Sequence, residues 1–158
     1  MTRKKEASGK NEQRSVDLAA QCFKDGFSCS QAVLSACSGR FGLDRETALR
    51  VAGAFGGGMA RRGETCGAVT GAFMVIGLKH GKVKVDDNVS REKTYDLAKE
   101  FTVRFVERNK TIVCKELLGY DLSTLEGREA VKEKKLATTI CPKFVQDAVE
   151  IVEELVME

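Results

Sequence analysis

Residues 65–79 read TCGAVTGAFMVIGLK and contain the longest apolar run of the chain, from Ala68 to Leu78. The run predicts a helix that ends at Gly81. The run is about half the ~20 residues needed to cross a bilayer, so we expect this helix to be buried in the protein and not in a membrane. Helical spacing of apolar residues continues on both sides from Ser15 onward, with no strand alternation and no internal repeat. The sequence therefore predicts an all-α fold, a compact bundle of seven or eight helices.

Capping residues and glycines give the expected limits of the other helices. The first ends at Gly26, the second spans Cys29 to Ser38, and the third follows Asp44 to about Ala54. The later helices are expected to start at Ser90, at Thr111, at the capping box Ser123–Glu126 and at Pro142. The long helix after Ser90 has a predicted inner face of Leu97, Phe101, Val103, Phe105 and Val106.

The N-terminal segment differs from the rest in composition. Residues 1–13, MTRKKEASGKNEQ, have no aromatic or branched aliphatic side chain and only Met1 as a large apolar one. Such a segment cannot bury enough surface to fold. We predict a disordered tail over 1–13 and a single all-helical domain over 14–158.

Charge and length exclude several classes of protein. The chain has 158 residues, with 26 Lys+Arg against 23 Asp+Glu, a net charge of +3. That excess is too small to indicate nucleic acid or an anionic membrane as partner. No targeting segment or membrane span is visible, so a cytoplasmic location is the expectation. Six cysteines, about 4% of the chain, are too few for a disulfide-built scaffold and in a reducing compartment suggest metal ligands, redox thiols or core residues.

Four of the six cysteines are predicted in the first turns of helices: Cys29, Cys66, Cys114 and Cys141. Unpaired N–H groups and the positive end of the helix dipole stabilise a thiolate there, and thiolate is both the nucleophile and the metal ligand. No C-x-x-C occurs, so neither a zinc finger nor a thioredoxin motif is present. Cys22 and Cys37 lie on apolar helix faces, where packing is the better interpretation.

Residues around Cys66 supply candidate supporting groups. Four thiolates and a dinuclear ferric core or a zinc ion together carry −2, which helix N-termini and a nearby Arg61 or Arg62 are placed to balance. Gly57 and Gly58 are expected to let backbone N–H groups approach the site, and Glu64 is a candidate proton partner. Gly67 has the small size that close helix–helix contact requires. For each of them a purely structural role, such as a turn, a cap or packing, is the alternative.

The strings RRGETCGAVTGA (61–72), FSCSQAV (27–33) and Cys141-Pro142 resemble the C_GCAxxG_C_C family of small redox-active proteins, named for its cysteine pattern. That family is about as long as this chain without its tail. The resemblance maps the family's four cysteines onto Cys29, Cys66, Cys114 and Cys141, the same four that lie at predicted helix starts. It implies a cysteine site, and related domains are associated with iron–sulfur binding.

Three functions of different classes follow. The leading one is an iron–sulfur protein for electron transfer or sensing, with the four cysteines as ligands and zinc as a less favoured metal. The second is a metal-free dithiol oxidoreductase or thiol relay. The third is a helical interaction module whose cysteines only pack. The sequence leaves open whether the protein turns over a substrate of its own, which redox partner it meets, and whether it forms a homodimer.

Overall fold

The computed structural model describes residues 14–157, so the predicted tail over 1–13 lies outside the described residues. Within them the chain forms eight helices of five residues or more and two single turns of four residues. In chain order these are α1 Ser15–Lys24, α2 Cys29–Ser38, α3 Arg45–Val51, α4 Gly56–Met59, α5 Gly67–His80, α6 Asn88–Asn109, α7 Cys114–Leu118, α8 Leu125–Glu133, α9 Leu136–Thr139 and α10 Cys141–Met157. A short 3₁₀ turn, Gly39–Phe41, follows α2. The described part of the chain has no strand beyond one isolated bridge, so the all-α prediction is confirmed.

Helix α5 lies at the centre and packs against α2, α6 and α10. It is apolar nearly all round, which is typical of a helix buried on every side. Its close approach to α2 depends on a missing side chain. A Cβ on Gly71 would lie 2.9 Å from the carbonyl oxygen of Ser30 and 3.1 Å from the Cβ of Val33. The predicted helix–helix contact through the small residues of α5 is therefore confirmed.

The aromatic residues of α6 fill the space beside α5. Phe101 and Phe105 are fully buried and their rings stack at 5.9 Å, while Phe73 of α5 meets Phe101 edge to face. The prediction that Val103 and Val106 share this inner face was wrong, since they are 53% and 36% exposed. The 3.6-residue period brings positions 101 and 105 onto one stripe and turns 103 and 106 away from it.

Four predicted helix starts, at Thr65, Ser90, Thr111 and Ser123, differ by one to three residues from those in the structure. The N-cap of α7 is Val113, not Thr111. At α6 and α8 a different side chain makes the cap. Asp87, not Ser90, caps α6, and its carboxylate accepts from the Ser90 N–H at 3.0 Å. Thr124, not Ser123, caps α8 by accepting from the Gly127 N–H. Helix α5 begins at Gly67 with Cys66 as its N-cap, while Thr65 forms the isolated bridge.

None of the helices described over residues 14–157 is both long enough and apolar enough to cross a membrane.

Candidate functional site

Each of the four candidate cysteines lies at the start of a helix. Cys29 is the first residue of α2, Cys114 of α7 and Cys141 of α10, and Cys66 is the N-cap of α5. The placement derived from the caps is confirmed. All six cysteines are free thiols.

The four helix starts converge on one cavity of about 910 Å³. Cys29, Cys66, Cys114 and Cys141 all line it, together with Gly57, Gly58 and Gly67. Four segments that are far apart in sequence thus place a thiol on the walls of the same space. Of the predicted supporting residues, the three glycines belong to this wall.

A short antiparallel clip places Cys66 beside Cys114. Thr65 and Val113 form the isolated bridge, the Cys66 N–H donates to the Ile112 carbonyl at 2.8 Å, and the Cys114 N–H donates to the Glu64 carbonyl at 2.6 Å. Because both cysteines follow the same bridge, their helices α5 and α7 begin side by side. The clip fixes one half of the site through backbone hydrogen bonds alone.

The glycine turn forms the wall behind Cys114. Gly58 has φ 68°, and a Cβ there would lie 2.5 Å from the Cβ of Cys114. Its carbonyl accepts from the Glu64 N–H at 2.9 Å, which ties the turn to the clip. Gly57 is also left-handed, at φ 66°. The glycines were predicted to bring N–H groups to Cys66, but the structure places Gly58 against Cys114.

Gly67 brings the other half of the site together. A Cβ on this residue would lie 3.0 Å from the Ser30 nitrogen and 3.2 Å from the Cβ of Cys29. The first turn of α5 therefore touches the first turn of α2, and Cys66 meets Cys29 across this contact. The capping box of Ser28 and Gln31 holds the start of α2 in place.

The Cys29 thiol lies beside Cys66 and Cys141. Hydrogen bonding toward Cys141 and Cys66, together with burial, raises the pKa of Cys29 well above its ordinary value. Accepting from Cys29 lowers the pKa of both, although burial opposes the shift in each.

Cys66 has a second source of stabilisation. The backbone N–H groups of Ala68 and Val69, in the first turn of α5, also lower the pKa of Cys66. This is the helix-start effect that the sequence predicted. It does not extend to Cys114, whose pKa is raised to about 12 by burial, with Cys66, Cys141 and Asp121 adding to the shift. The site thus holds two thiolate-prone sulfurs and two that retain their protons.

Two predicted supporting residues lie outside the cavity. Arg61 is exposed, and its side chain packs on Gly57 and lines a separate surface groove, so it does not screen the cysteines. The Glu64 carboxylate is exposed and pairs with Arg62 at 2.9 Å. Glu64 contributes its backbone carbonyl to the clip, not a proton-transferring side chain. Both side chains point outward because the left-handed residues 57–61 turn this segment toward solvent.

The other two cysteines are buried in the main core, as predicted. The Cys22 sulfur contacts the Ser35 hydroxyl at 3.6 Å. The pKa of Cys37 is raised to about 12 by burial and by Glu153. His80 lies at the opposite end of α5 from Cys66, roughly 20 Å away at 1.5 Å per residue, and so is not a ligand at this site.

Sequence reasoning missed the apolar part of the cavity wall. Phe23 and Phe27 line it from one side, and Leu118, Leu122 and Phe144 from the other. Each of these residues looks like an ordinary core position in its own helix or loop. Only the convergence of α1, α7 and α10 brings them around the cysteines, and no local sequence signal encodes that.

The cavity offers thiols as its donor atoms. Four thiols are the soft ligands that iron–sulfur clusters use. Within residues 14–157, no group of three or more His, Cys, Asp or Glu side chains is arranged to hold a metal ion.

The convergence of free cysteines at helix starts defines a helical protein with a clustered thiol site. A family model described as "Putative redox-active protein (C_GCAxxG_C_C)" matches residues 27–155. The match covers most of the chain and includes all four cavity cysteines, so the chain belongs to this redox-active protein family. No curated protein and no solved structure matches the chain.

Proposed function

We propose that the cavity is a redox centre in which Cys29, Cys66, Cys114 and Cys141 ligate an iron–sulfur cluster for electron transfer or sensing. The observation that carries the proposal is that four cysteines from four separate helix starts line one cavity. A thiol relay needs two cysteines, whereas four are what a [2Fe–2S] or [4Fe–4S] cluster takes from a protein. When bound, such a cluster accepts and returns single electrons.

The residues around the cavity are suited to support four cysteine ligands. The first turn of α5 supplies N–H groups that stabilise the Cys66 thiolate. Gly58 and Gly67 leave space beside Cys114 and Cys29, where any side chain would collide with those cysteines. The apolar residues of the wall exclude water, which favours a reversible one-electron couple over hydrolytic loss of ligands.

The test is purification without oxygen, followed by reconstitution with iron and sulfide. We expect a coloured protein that contains iron and acid-labile sulfide in equal amounts. Serine substitution at each of the four cavity cysteines should remove most of the bound iron. Cys22→Ser and Cys37→Ser are matched controls, because these two cysteines are buried in the core away from the cavity. A colourless wild-type protein after reconstitution would overturn the cluster proposal.

One observation favours a second candidate, a metal-free dithiol. The Cys29 thiol donates toward Cys66, whose pKa is lowered, so a proton donor lies beside a more acidic thiol. In this mechanism Cys66, as the thiolate, attacks a partner's disulfide and one partner thiolate leaves. Cys29 then gives its proton to that released thiolate and attacks the Cys66 sulfur, which releases the second partner thiolate and forms a Cys29–Cys66 disulfide. The partner disulfide gains two electrons and the protein loses two.

Site-resolved alkylation of reduced, metal-free protein distinguishes this candidate. A dithiol site requires Cys66 to be alkylated with a midpoint below pH 9, and peptide mapping after mild oxidation should recover a Cys29–Cys66 crosslink. The dithiol mechanism would be rejected if the reconstituted protein contains iron and sulfide and the oxidised metal-free protein yields no Cys29–Cys66 crosslink. Cys37 is the control thiol, since its raised pKa keeps it unreactive over the same pH range.

A further inference from the structure

The cavity is larger than its cysteines require. Its volume of about 910 Å³ lies within the range of roughly 300–1,000 Å³ typical of pockets for small organic molecules. The cysteines occupy the inner wall, where Cys66 and Cys114 are buried. The exposed residues of its lining, the rim, include Ala20 and Lys24 of α1 and Ala137 and Thr138 of α9. The space therefore extends outward from the buried thiols to exposed residues of these two helices.

The chemistry of the wall selects an uncharged, ring-shaped ligand. Three aromatic side chains, Phe23, Phe27 and Phe144, line the cavity and offer faces and edges to another ring. Its lining includes no acidic residue and only one basic one, Lys24, which is exposed. An anionic ligand would be desolvated there without a buried cation to pair with it, and the lining offers no carboxylate to a cation.

The N-terminal segment does not supply an aromatic group to fill the cavity. Residues 1–13, outside the described structure, are polar apart from Met1 and the small Ala7 and Gly9, and they precede the end of α1 that is opposite the cavity rim. A peptide from a partner would also need an opening continuous along a groove, whereas this space is bounded by helix starts on several sides.

We propose that the outer part of the cavity binds an uncharged aromatic small molecule of one or two ring systems, in contact with the cysteine site. The ligand enters between α1 and α9 and lies among the three phenylalanines. This site depends on the shape and lining of the cavity and not on what the cysteines carry, so it stands or fails independently of the proposed cluster.

The test uses the full chain, reduced and free of metal, and the probe N-phenyl-1-naphthylamine, an uncharged dye with two aromatic ring systems that fluoresces in apolar surroundings. We expect saturable binding of one molecule per chain. The charged analogue 8-anilinonaphthalene-1-sulfonate should bind at least about tenfold more weakly, because its sulfonate has no buried partner. Binding of several molecules per chain, or equal affinity for the two dyes, would overturn the proposal.

Two pairs of variants locate the site. Ala137→Trp and Ala20→Trp place a large ring on exposed rim positions, from α9 and α1 respectively, and should weaken dye binding by about tenfold. Thr139→Trp and Gln21→Trp put the same ring on exposed neighbours that do not line the cavity and should leave affinity within about twofold. Equal affinities in rim and control variants would place the dye elsewhere and reject the site. All four positions are exposed, so we expect the substitutions to be tolerated. Matched circular dichroism melts check that each variant is folded.

Discussion

Cys37 and Cys66 are almost equally buried, at 3% and 4% exposure, yet their thiols behave in opposite ways. The pKa of Cys37 is raised to about 12 by burial and the nearby Glu153. That of Cys66 is lowered by the Cys29 thiol and by two backbone N–H groups. Cys37 lies in the last turn of α2, where backbone carbonyls are unpaired. Cys66 lies at the start of α5, where backbone N–H groups are unpaired.

Burial alone therefore does not decide whether a cysteine is inert. Burial removes water from both sulfurs and by itself raises the pKa of a thiol. What distinguishes Cys66 is that donors face its sulfur in place of water. The core region around Cys37 offers the Glu153 carboxylate in their place, so its thiol keeps its proton. Substitutions can alter one region while leaving the other as it is.

The largest effect is expected from Gly58→Ala, which breaks the cavity wall without touching the core. The added Cβ would lie 2.5 Å from the Cβ of Cys114 and 2.7 Å from the Glu64 nitrogen, at a left-handed φ of 68°. Left-handed strain and overpacking together should lower the free energy of unfolding by about 3 kcal/mol. Denaturant unfolding measures the loss.

Gly42→Ala is the matched control for that variant. Gly42 is also left-handed, at φ 80°, but nothing lies within 4 Å of a Cβ placed there. Strain alone should reduce the free energy of unfolding by about 1 kcal/mol. Equal losses in the two variants would mean that the contact between Gly58 and Cys114 is not tight.

The contrast between these two glycines also shows what the sequence can and cannot predict. Caps and apolar spacing predict the helices and place four cysteines at helix starts, because those signals are local. The contact of Gly58 with Cys114 links residues far apart in the chain through the bridge of Thr65 and Val113. Arg61 and Glu64 were expected at the site because they are close to Cys66 in sequence. The left-handed turn directs Arg61 outward, and no local sequence signal predicts the direction of that turn.

A smaller effect should appear at alkaline pH in the core. Folding favours the protonated thiol of Cys37, so stability from this group is complete below its ordinary pKa of about 9 and is lost as pH rises toward 12. Between pH 8 and pH 11 the wild-type protein should lose about 2 kcal/mol more than Cys37→Ala does. Unfolding curves of the two proteins at both pH values give this difference.

Comparing the two proteins removes the contributions that they share. Every other titratable group, including the similarly raised thiol of Cys114, is present in both proteins, so its contribution cancels in the difference. The small cavity left by Cys37→Ala shifts stability by a constant amount at every pH. A difference that does not change from pH 8 to pH 11 would show that burial does not hold this thiol protonated.

The smallest effect is expected from Ser28→Ala, which loosens one end of α2 and leaves the end with Cys37 unchanged. The Ser28 hydroxyl accepts from the Gln31 N–H, and loss of an N-cap costs about 1 kcal/mol. Because Cys29 directly follows this cap, its donation to Cys66 should weaken and the alkylation midpoint of Cys66 should rise. Asp44→Ala removes the corresponding cap of α3, away from the cavity, and should leave that midpoint unchanged. A Ser28→Ala protein that loses stability but keeps the Cys66 midpoint would show that the N–H groups of α5 suffice for the thiolate and that Cys29 is dispensable to it.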